Sequence, residues 1–321
     1  MNLESKKRLE DKISRELGEL RQYLAEDSIV EIMRNPNGNI MVERGGACGG
    51  GIIKTQVKIS DDEAMLLMSS IATYNGTFLN RKNPLLKATM PWGQRFQGMI
   101  EPIVTSPAFT IRCPRSYSLT LDDYVPQRMS KHNAERLRAA IINRENMLIS
   151  GGTGSGKTTL TAALLKELVT ICPEDRITIM EDTKELKIES DNIVDELTSE
   201  EVSMSDLLAA NLRMRPDRII LGETRGNDSY DLLKSWNTGH PGGICTIHAN
   251  SGKSALSRLE TLILGAESTK NLTITAVRSA IAEAVNIVVH MQKTHTGPKL
   301  AEMVIVKGLE LNGDYRFESI I

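Results

Sequence analysis

Residues 151–158 read Gly151-Gly152-Thr153-Gly154-Ser155-Gly156-Lys157-Thr158, a complete phosphate-binding loop of the form GxxxxGK(S/T). No other stretch constrains the fold as much, because such a loop works only between a buried strand and the start of a helix. Both neighbours are present: Asn146-Met147-Leu148-Ile149 is a short apolar strand, and Thr159-Leu160-Thr161-Ala162-Ala163-Leu164-Leu165 begins a helix. Glycines let the backbone wind so that successive N–H groups point inward as anion donors. Lys157 carries positive charge to the β- and γ-phosphates, and the Thr158 hydroxyl suits Mg²⁺. The helix opened by Thr158 and Thr159 adds its partial positive charge. The chain therefore reads as a nucleoside triphosphate user.

Composition narrows the alternatives. With 40% hydrophobic and 25% charged residues, the 321-residue chain is an ordinary globular protein long enough for two domains. A net charge of −2 argues against a generally basic nucleic-acid binder, and 4% aromatics leaves little for base stacking. No apolar run approaches the ~18 residues of a membrane span, and no signal peptide opens the chain. Cys48, Cys113, Cys172 and Cys245 form no CxxC pair. Buried or neutral thiols in a reducing compartment are expected, with no zinc site or disulfide framework.

Ahead of the loop the pattern is mixed. Leu9, Ile13, Leu20 and Leu24 fall at helical spacing among Lys6, Lys7, Arg8, Lys12, Arg15 and Arg21. This is an amphipathic helix that either packs on its own domain or lies on an anionic membrane. Strand-like pieces at Ile29–Met33 and Ile40–Glu43 flank an Asn-Gly turn, a hairpin signal. The glycine-dense 45–51 reads as a hairpin loop. Ser60-Asp61-Asp62-Glu63 is a capping box opening a helix to about Tyr74. Strands are expected around Arg95–Val104 and Phe109–Arg112. Residues 1–115 thus read as a small α+β domain and 116–130 as a linker with Pro126. Residues 131–321 alternate helix and strand as a parallel α/β sheet requires.

A phosphate loop alone hydrolyses nothing; it needs a metal, a water activator and transition-state charge stabilisation. Arg218-Ile219-Ile220-Leu221-Gly222-Glu223 is an apolar strand ending in an acid. It is expected beside the loop strand, with Glu223 near Mg²⁺ to orient and deprotonate water. Ile177-Thr178-Ile179-Met180-Glu181-Asp182 also ends in carboxylates. Ligands gather at the carboxyl ends of parallel strands, so Glu181 and Asp182 are candidate metal-side or water-positioning acids, and Glu185 a weaker one. His248, at the end of Ile244–Ile247, is either a structural group or a γ-phosphate sensor.

These segments, in this order, resemble the secretion and pilus-assembly traffic ATPases. Asn237-Thr238-Gly239-His240-Pro241-Gly242-Gly243 followed by Thr246-Ile247-His248-Ala249-Asn250 is similar to the branch serving type IV secretion and conjugation. The resemblance covers nearly the whole chain. It implies a RecA-like carboxyl-terminal domain that binds ATP and Mg²⁺ at Gly151–Thr159. Glu181 and Asp182 match its acidic box, Glu223 its catalytic acid, and His240 and His248 its histidine box. It further implies arginines of the first domain, here Arg95 and Arg112 with Arg115 as a third, reaching phosphates between the domains. A homo-oligomeric, hexameric ring is implied, on the inner face of the bacterial inner membrane with inner-membrane secretion subunits. Domain closure on ATP, hinged at 116–130, would convert chemistry to motion. Two departures stand out: Thr294-His295-Thr296-Gly297-Pro298-Lys299 replaces a paired-arginine stretch, and no tetracysteine site of the type II branch is present.

Other readings fit less well. A small-molecule kinase needs an arginine-bearing lid after the loop, whereas the arginines of interest precede it. A nucleotide-gated scaffold has no need of Glu223. A nucleic-acid motor finds no support in charge or aromatic content, so direct nucleic-acid binding is not expected.

Overall fold

The computed structural model describes residues 3–26, 28–44, 51–113, 119–199, 201–294 and 297–320. The chain divides into two compact units, Met1–Arg115 and Ser116–Ile321.

The first unit opens with α1 (Leu3–Glu16) and α2 (Leu20–Leu24). They form two helices where the leucine spacing suggested one, because the chain turns at Gly18 with φ +47°. Strands β1 (Ile29–Arg34), β2 (Asn39–Arg44) and β3 (Ile52–Lys58) precede α3 (Asp61–Tyr74), and β4 (Leu85–Thr89), β5 (Arg95–Met99) and β6 (Ala108–Arg112) follow it. They build an antiparallel sheet of order β3-β2-β1-β6-β5-β4. The Asn-Gly turn joins β1 to β2. The capping box forms: Ser60 accepts from the Glu63 N–H while Glu63 accepts from that of Ser60. The strand expected over Arg95–Val104 ends at Met99, and β3 and β4 escaped the sequence reading. Ile13 and Leu17, the α3 residues Leu67, Met68 and Ile71, and Ile32, Val42, Phe96, Phe109 and Ile111 of the sheet form one core. α1 thus packs on its own unit. Part of its basic face is already engaged, by Glu4–Arg8 and Lys12–Glu16 pairs and by Lys6 over the Tyr74 ring. The glycine-dense loop of the sequence reading lies, apart from Gly51, outside the described residues.

The second unit runs α4 (Lys131–Ile142), β7 (Met147–Gly151), α5 (Lys157–Ile171), β8 (Ile177–Glu181), β9 (Ile193–Leu197), α6 (Met204–Asn211) and β10 (Arg218–Leu221). It continues with α7 (Asp228–Asn237), β11 (Ile244–Ile247), α8 (Gly252–Leu264), α9 (Ile274–Ala284), β12 (Ile287–Thr294), β13 (Gly297–Leu309) and β14 (Tyr315–Ser319). The sheet order is β14-β13-β12-β7-β11-β10-β8-β9, parallel from β12 to β9, with β13 and β14 antiparallel at one edge. Its central strands are unbroken apolar runs because both faces are covered. Met147, Ile149, Ile179 and Ile220 point into the cluster with α4 and α5. Their neighbours Leu148, Met180, Ile219 and Leu221 point into the cluster with α6 to α9. Of the segment read as a linker, Leu121, Tyr124 and Met129 are buried in this unit's core.

One topological expectation is corrected. β10 does not lie beside the loop strand β7, because β11 is inserted between them. The four fully buried residues of β11 make it a central strand, paired to β7 on one side and β10 on the other. This order governs the site.

Candidate nucleotide site

β7 ends at Gly151, and six residues later α5 begins at Lys157. Gly156 caps α5 with φ +88°, and a Cβ there would fall 2.7 Å from Pro298 Cβ. Only glycine combines that backbone with that contact. Gly152, Thr153 and Gly154 form an exposed crown, while Ser155 is buried and Thr158 and Thr159 are half-buried in the first turn of α5. A helix N-terminus directs backbone N–H groups and partial positive charge at the loop before it, an arrangement that favours an anion. Lys157 is buried, and its Nζ donates to the Gly151 carbonyl at 2.8 Å and the Gly152 carbonyl at 3.0 Å. The ammonium is thus folded across the loop. A cavity of about 400 Å³ adjoins the crown, lined by Gly152, Thr153, His248, Ala249, Asn250, Ser254 and Arg258.

Because β11 lies between β7 and β10, the residue after β11 stands between their functional groups. His248 Nδ1 is 3.5 Å from Lys157 Nζ, and Nε2 is 3.4 Å from Glu223 Oε1. An ammonium only donates, so in a neutral ring Nδ1 accepts and Nε2 carries the proton facing Glu223, whereas a protonated ring sets its own charge against that carboxylate. Sequence reasoning left His248 open between two roles; the strand order puts it in the middle of the site. His240 is elsewhere: its Nδ1 lies 2.7 Å from the Pro216 carbonyl. The glycines after it also serve packing. A Cβ on Gly243 would fall 2.0 Å from Trp236 Nε1, so that position must be bare.

The acids divide by environment. Burial works against ionisation of Glu223, but the hydrogen bond from Arg225 Nη2 at 2.8 Å and the charges of Arg225, His248 and Lys157 more than offset it. The carboxyl sits below the ordinary glutamate range and is ionised at neutral pH. Asp182 accepts from Arg225 Nη1 at 2.8 Å and from the Thr198 hydroxyl at 3.0 Å. Arg225 was missed in the sequence; the clue was its place two residues past the strand-end acid. The turn that carries it is pinned by Asp228, which accepts from the Arg225 and Gly226 N–H groups and the Thr224 hydroxyl.

Glu181 lies behind this layer. Its oxygens accept from the N–H groups of Glu185 and Leu186 at 3.1–3.2 Å, and a Cβ on Gly222 would fall 2.9 Å from its Cγ. Burial pushes its carboxyl up to about 7, against those N–H bonds. The folded state therefore holds this proton more tightly than the unfolded chain. Its stabilising contribution is complete below about pH 4.5 and is lost as pH rises through about 7, a swing of about 3 kcal/mol. Glu181→Gln is expected to flatten this slope: its thermal midpoint should exceed that of wild type at pH 8, with the gap closing towards pH 5. An equal gap at both pH values would contradict the assignment.

In the first unit, Arg95 and Arg112 are direct register partners across β5 and β6, and Glu31 of β1 is opposite Arg112 on its other side. Two cations at facing positions cost free energy unless an anion joins them. Arg115 lies outside the described residues. Arg258 was also missed, since its place in the cavity depends on α8 being set beside the loop.

The family model described as "Type II/IV secretion system protein" matches residues 14–297. A conjugal transfer protein TrbB of Rhizobium radiobacter is 40% identical, over 98% of this chain and 95% of its own. A type IV secretion system protein VirB11 of Bartonella quintana is 31% identical, over 88% and 89%. Among solved structures, the VirB11 ATPase from the Brucella suis type IV secretion system, in complex with sulphate, aligns with TM-score 0.51 at 27% identity, covering 94% of this chain and 96% of that one. The Legionella pneumophila ATPase DotB shares the fold with TM-score 0.65 at 19% identity, over 89% of this chain and 79% of its own. The chain belongs to the Type II/IV secretion system protein family, as one of its type IV secretion ATPases.

Proposed function

We propose that this ATPase works as a ring, most simply a hexamer, whose subunits close on ATP and open after hydrolysis to power a conjugative type IV secretion machine. The observation that carries the chemistry is the line Lys157–His248–Glu223, which sets a phosphate-binding cation and an ionised acid on either side of one imidazole. In this reading the N–H groups of the loop bind the β- and γ-phosphates, and Lys157 turns from the loop carbonyls onto them. Glu223 takes the proton of the attacking water, and His248 donates Nε2–H to the γ-phosphate or to Glu223. A hydroxyl beside a phosphate loop suits Mg²⁺, which takes most of its ligands from phosphate and water. Thr158 would hold it, and the ion would neutralise charge on the phosphate oxygens. Glu181 and Asp182 support the site through the contacts described above. Arg95 and Arg112 would add guanidinium charge to the phosphates, with closure hinged in 116–130 ahead of the anchored Leu121.

The ring would act at the cytoplasmic face of the inner membrane with membrane subunits of the machine, without binding nucleic acid itself. Among the described residues, no helix is long and apolar enough to cross a membrane. The test is phosphate release from Mg²⁺-ATP by the wild-type chain, with native mass recorded on the same samples. Turnover that rises with the ring fraction supports the proposal. ATP-bound rings that release no phosphate would overturn it in favour of a nucleotide-gated scaffold.

A further inference from the structure

The carboxyl edge of the sheet carries a continuous line of polar contacts built from residues that follow five neighbouring strands. Thr198 follows β9, Asp182 follows β8, Glu223 and Arg225 follow β10, His248 follows β11, and Lys157 follows the loop after β7. The hydroxyl of Thr198 donates to Asp182 Oδ1 at 3.0 Å, and Asp182 Oδ2 accepts from Arg225 Nη1 at 2.8 Å. Arg225 Nη2 donates to Glu223 Oε2 at 2.8 Å. The other Glu223 oxygen faces His248 Nε2.

We propose that Arg225 is the positioning residue of Glu223 and that Asp182 is its anchor: the guanidinium bridges two strand ends and decides which carboxylate oxygen faces the nucleotide. Three features argue for this. First, a guanidinium is planar, and its two terminal nitrogens are committed to two different acids, so its orientation is fixed at both ends. Second, with Oε2 held by Arg225, Oε1 is the oxygen left to meet water and His248. Third, the bridge does little for stability. The Arg225 side chain is 54% exposed, and exposed ion pairs add little to folding stability. Its value lies in aim, and small displacements of a base are costly to rate. The contacts also give Asp182 a task other than metal ligation.

This rests on Glu223 acting as the base. The experiment measures kcat, KM for Mg²⁺-ATP and thermal midpoint for wild type, Glu223→Gln, Arg225→Ala, Arg225→Lys, Asp182→Ala and the Asp182→Ala/Arg225→Ala double variant. Arg225→Ala should lower kcat roughly 10- to 100-fold. Its KM should stay within about threefold and its midpoint within about 2 °C. Arg225→Lys should recover part of the loss, since an ammonium reaches one acid but not both in a fixed plane. Asp182→Ala should lose less than Arg225→Ala, and the double variant no more than Arg225→Ala alone, because the anchor acts only through Arg225. A kcat for Arg225→Ala within twofold of wild type, or losses that multiply in the double variant, would overturn the proposal. If wild-type turnover is itself independent of Glu223, the functional reading falls with it; if turnover needs Glu223 but not Arg225, only this inference falls.

Discussion

Replacing Lys157 with alanine is expected to abolish measurable turnover and to weaken ATP binding by roughly a hundredfold, equivalent to about 3 kcal/mol. The ammonium is the one group that the loop holds both buried and positively charged, and its two carbonyl contacts to Gly151 and Gly152 hold it across the loop. Charge-assisted bonds to phosphate are stronger than those to neutral carbonyls, so in the proposed mechanism the side chain would transfer to an arriving nucleotide. Without it the backbone N–H groups remain, and some anion binding with them. The folded protein should not suffer, since removing a buried ammonium also removes its desolvation cost. Equilibrium ATP binding and thermal midpoints of the two proteins check both halves. A Lys157→Ala protein that binds ATP within twofold of wild type would contradict the account of the loop.

The largest expected stability effect lies at the other end of the sheet. Arg218, at the start of β10, is 1% exposed. Its Nε donates to Asp175 at 2.7 Å, and its Nη2 reaches the Ile141 carbonyl at 3.0 Å and Cys172 Sγ at 3.3 Å. Asp175 also receives Arg144. A Cβ on Gly242 would fall 2.3 Å from Arg218 Nη1, so the bare glycine makes room for the guanidinium. Arg218→Ala would leave Asp175 with one exposed partner, strip a buried carbonyl and open a cavity. Breaking one side of a buried pair costs about 3–5 kcal/mol. Urea unfolding of the two proteins should show a loss of that size, and a loss below about 1 kcal/mol would mean that the pair is solvated.

What could be read from the sequence was local. The loop with its strand and helix, the capping box at Ser60 and the Asn-Gly hairpin each depend on neighbours within a few residues, and each is where the sequence put it. What could not be read depends on strand order or on weak local patterns. β3 and β4 lie at the two edges of their sheet and carry exposed Ile52, Ile53 and Leu85, so their alternation is blurred. β11 separates β7 from β10 through long-range pairing that no spacing encodes, and that insertion is what puts His248 against both Lys157 and Glu223. Arg225 and Arg258 were passed over because arginines in turns and on helix faces are ordinarily solvated. The partners of Arg225, and the place of Arg258 in the cavity wall, appear only when strand ends and α8 are brought together. Glu181, by contrast, was visible as a strand-end acid, but its turn towards the Glu185 and Leu186 N–H groups was not.

The most direct test of the central claim is steady-state phosphate release by Glu223→Gln beside wild type, with ATP affinity measured on the same preparations. Glutamine keeps the shape and a hydrogen-bond acceptor but cannot take a proton. Loss of a general base costs roughly 10²–10⁴ in rate. A fall of that size in kcat is expected, with ATP affinity unchanged or tighter. A Glu223→Gln protein that turns over within a few-fold of wild type would contradict it.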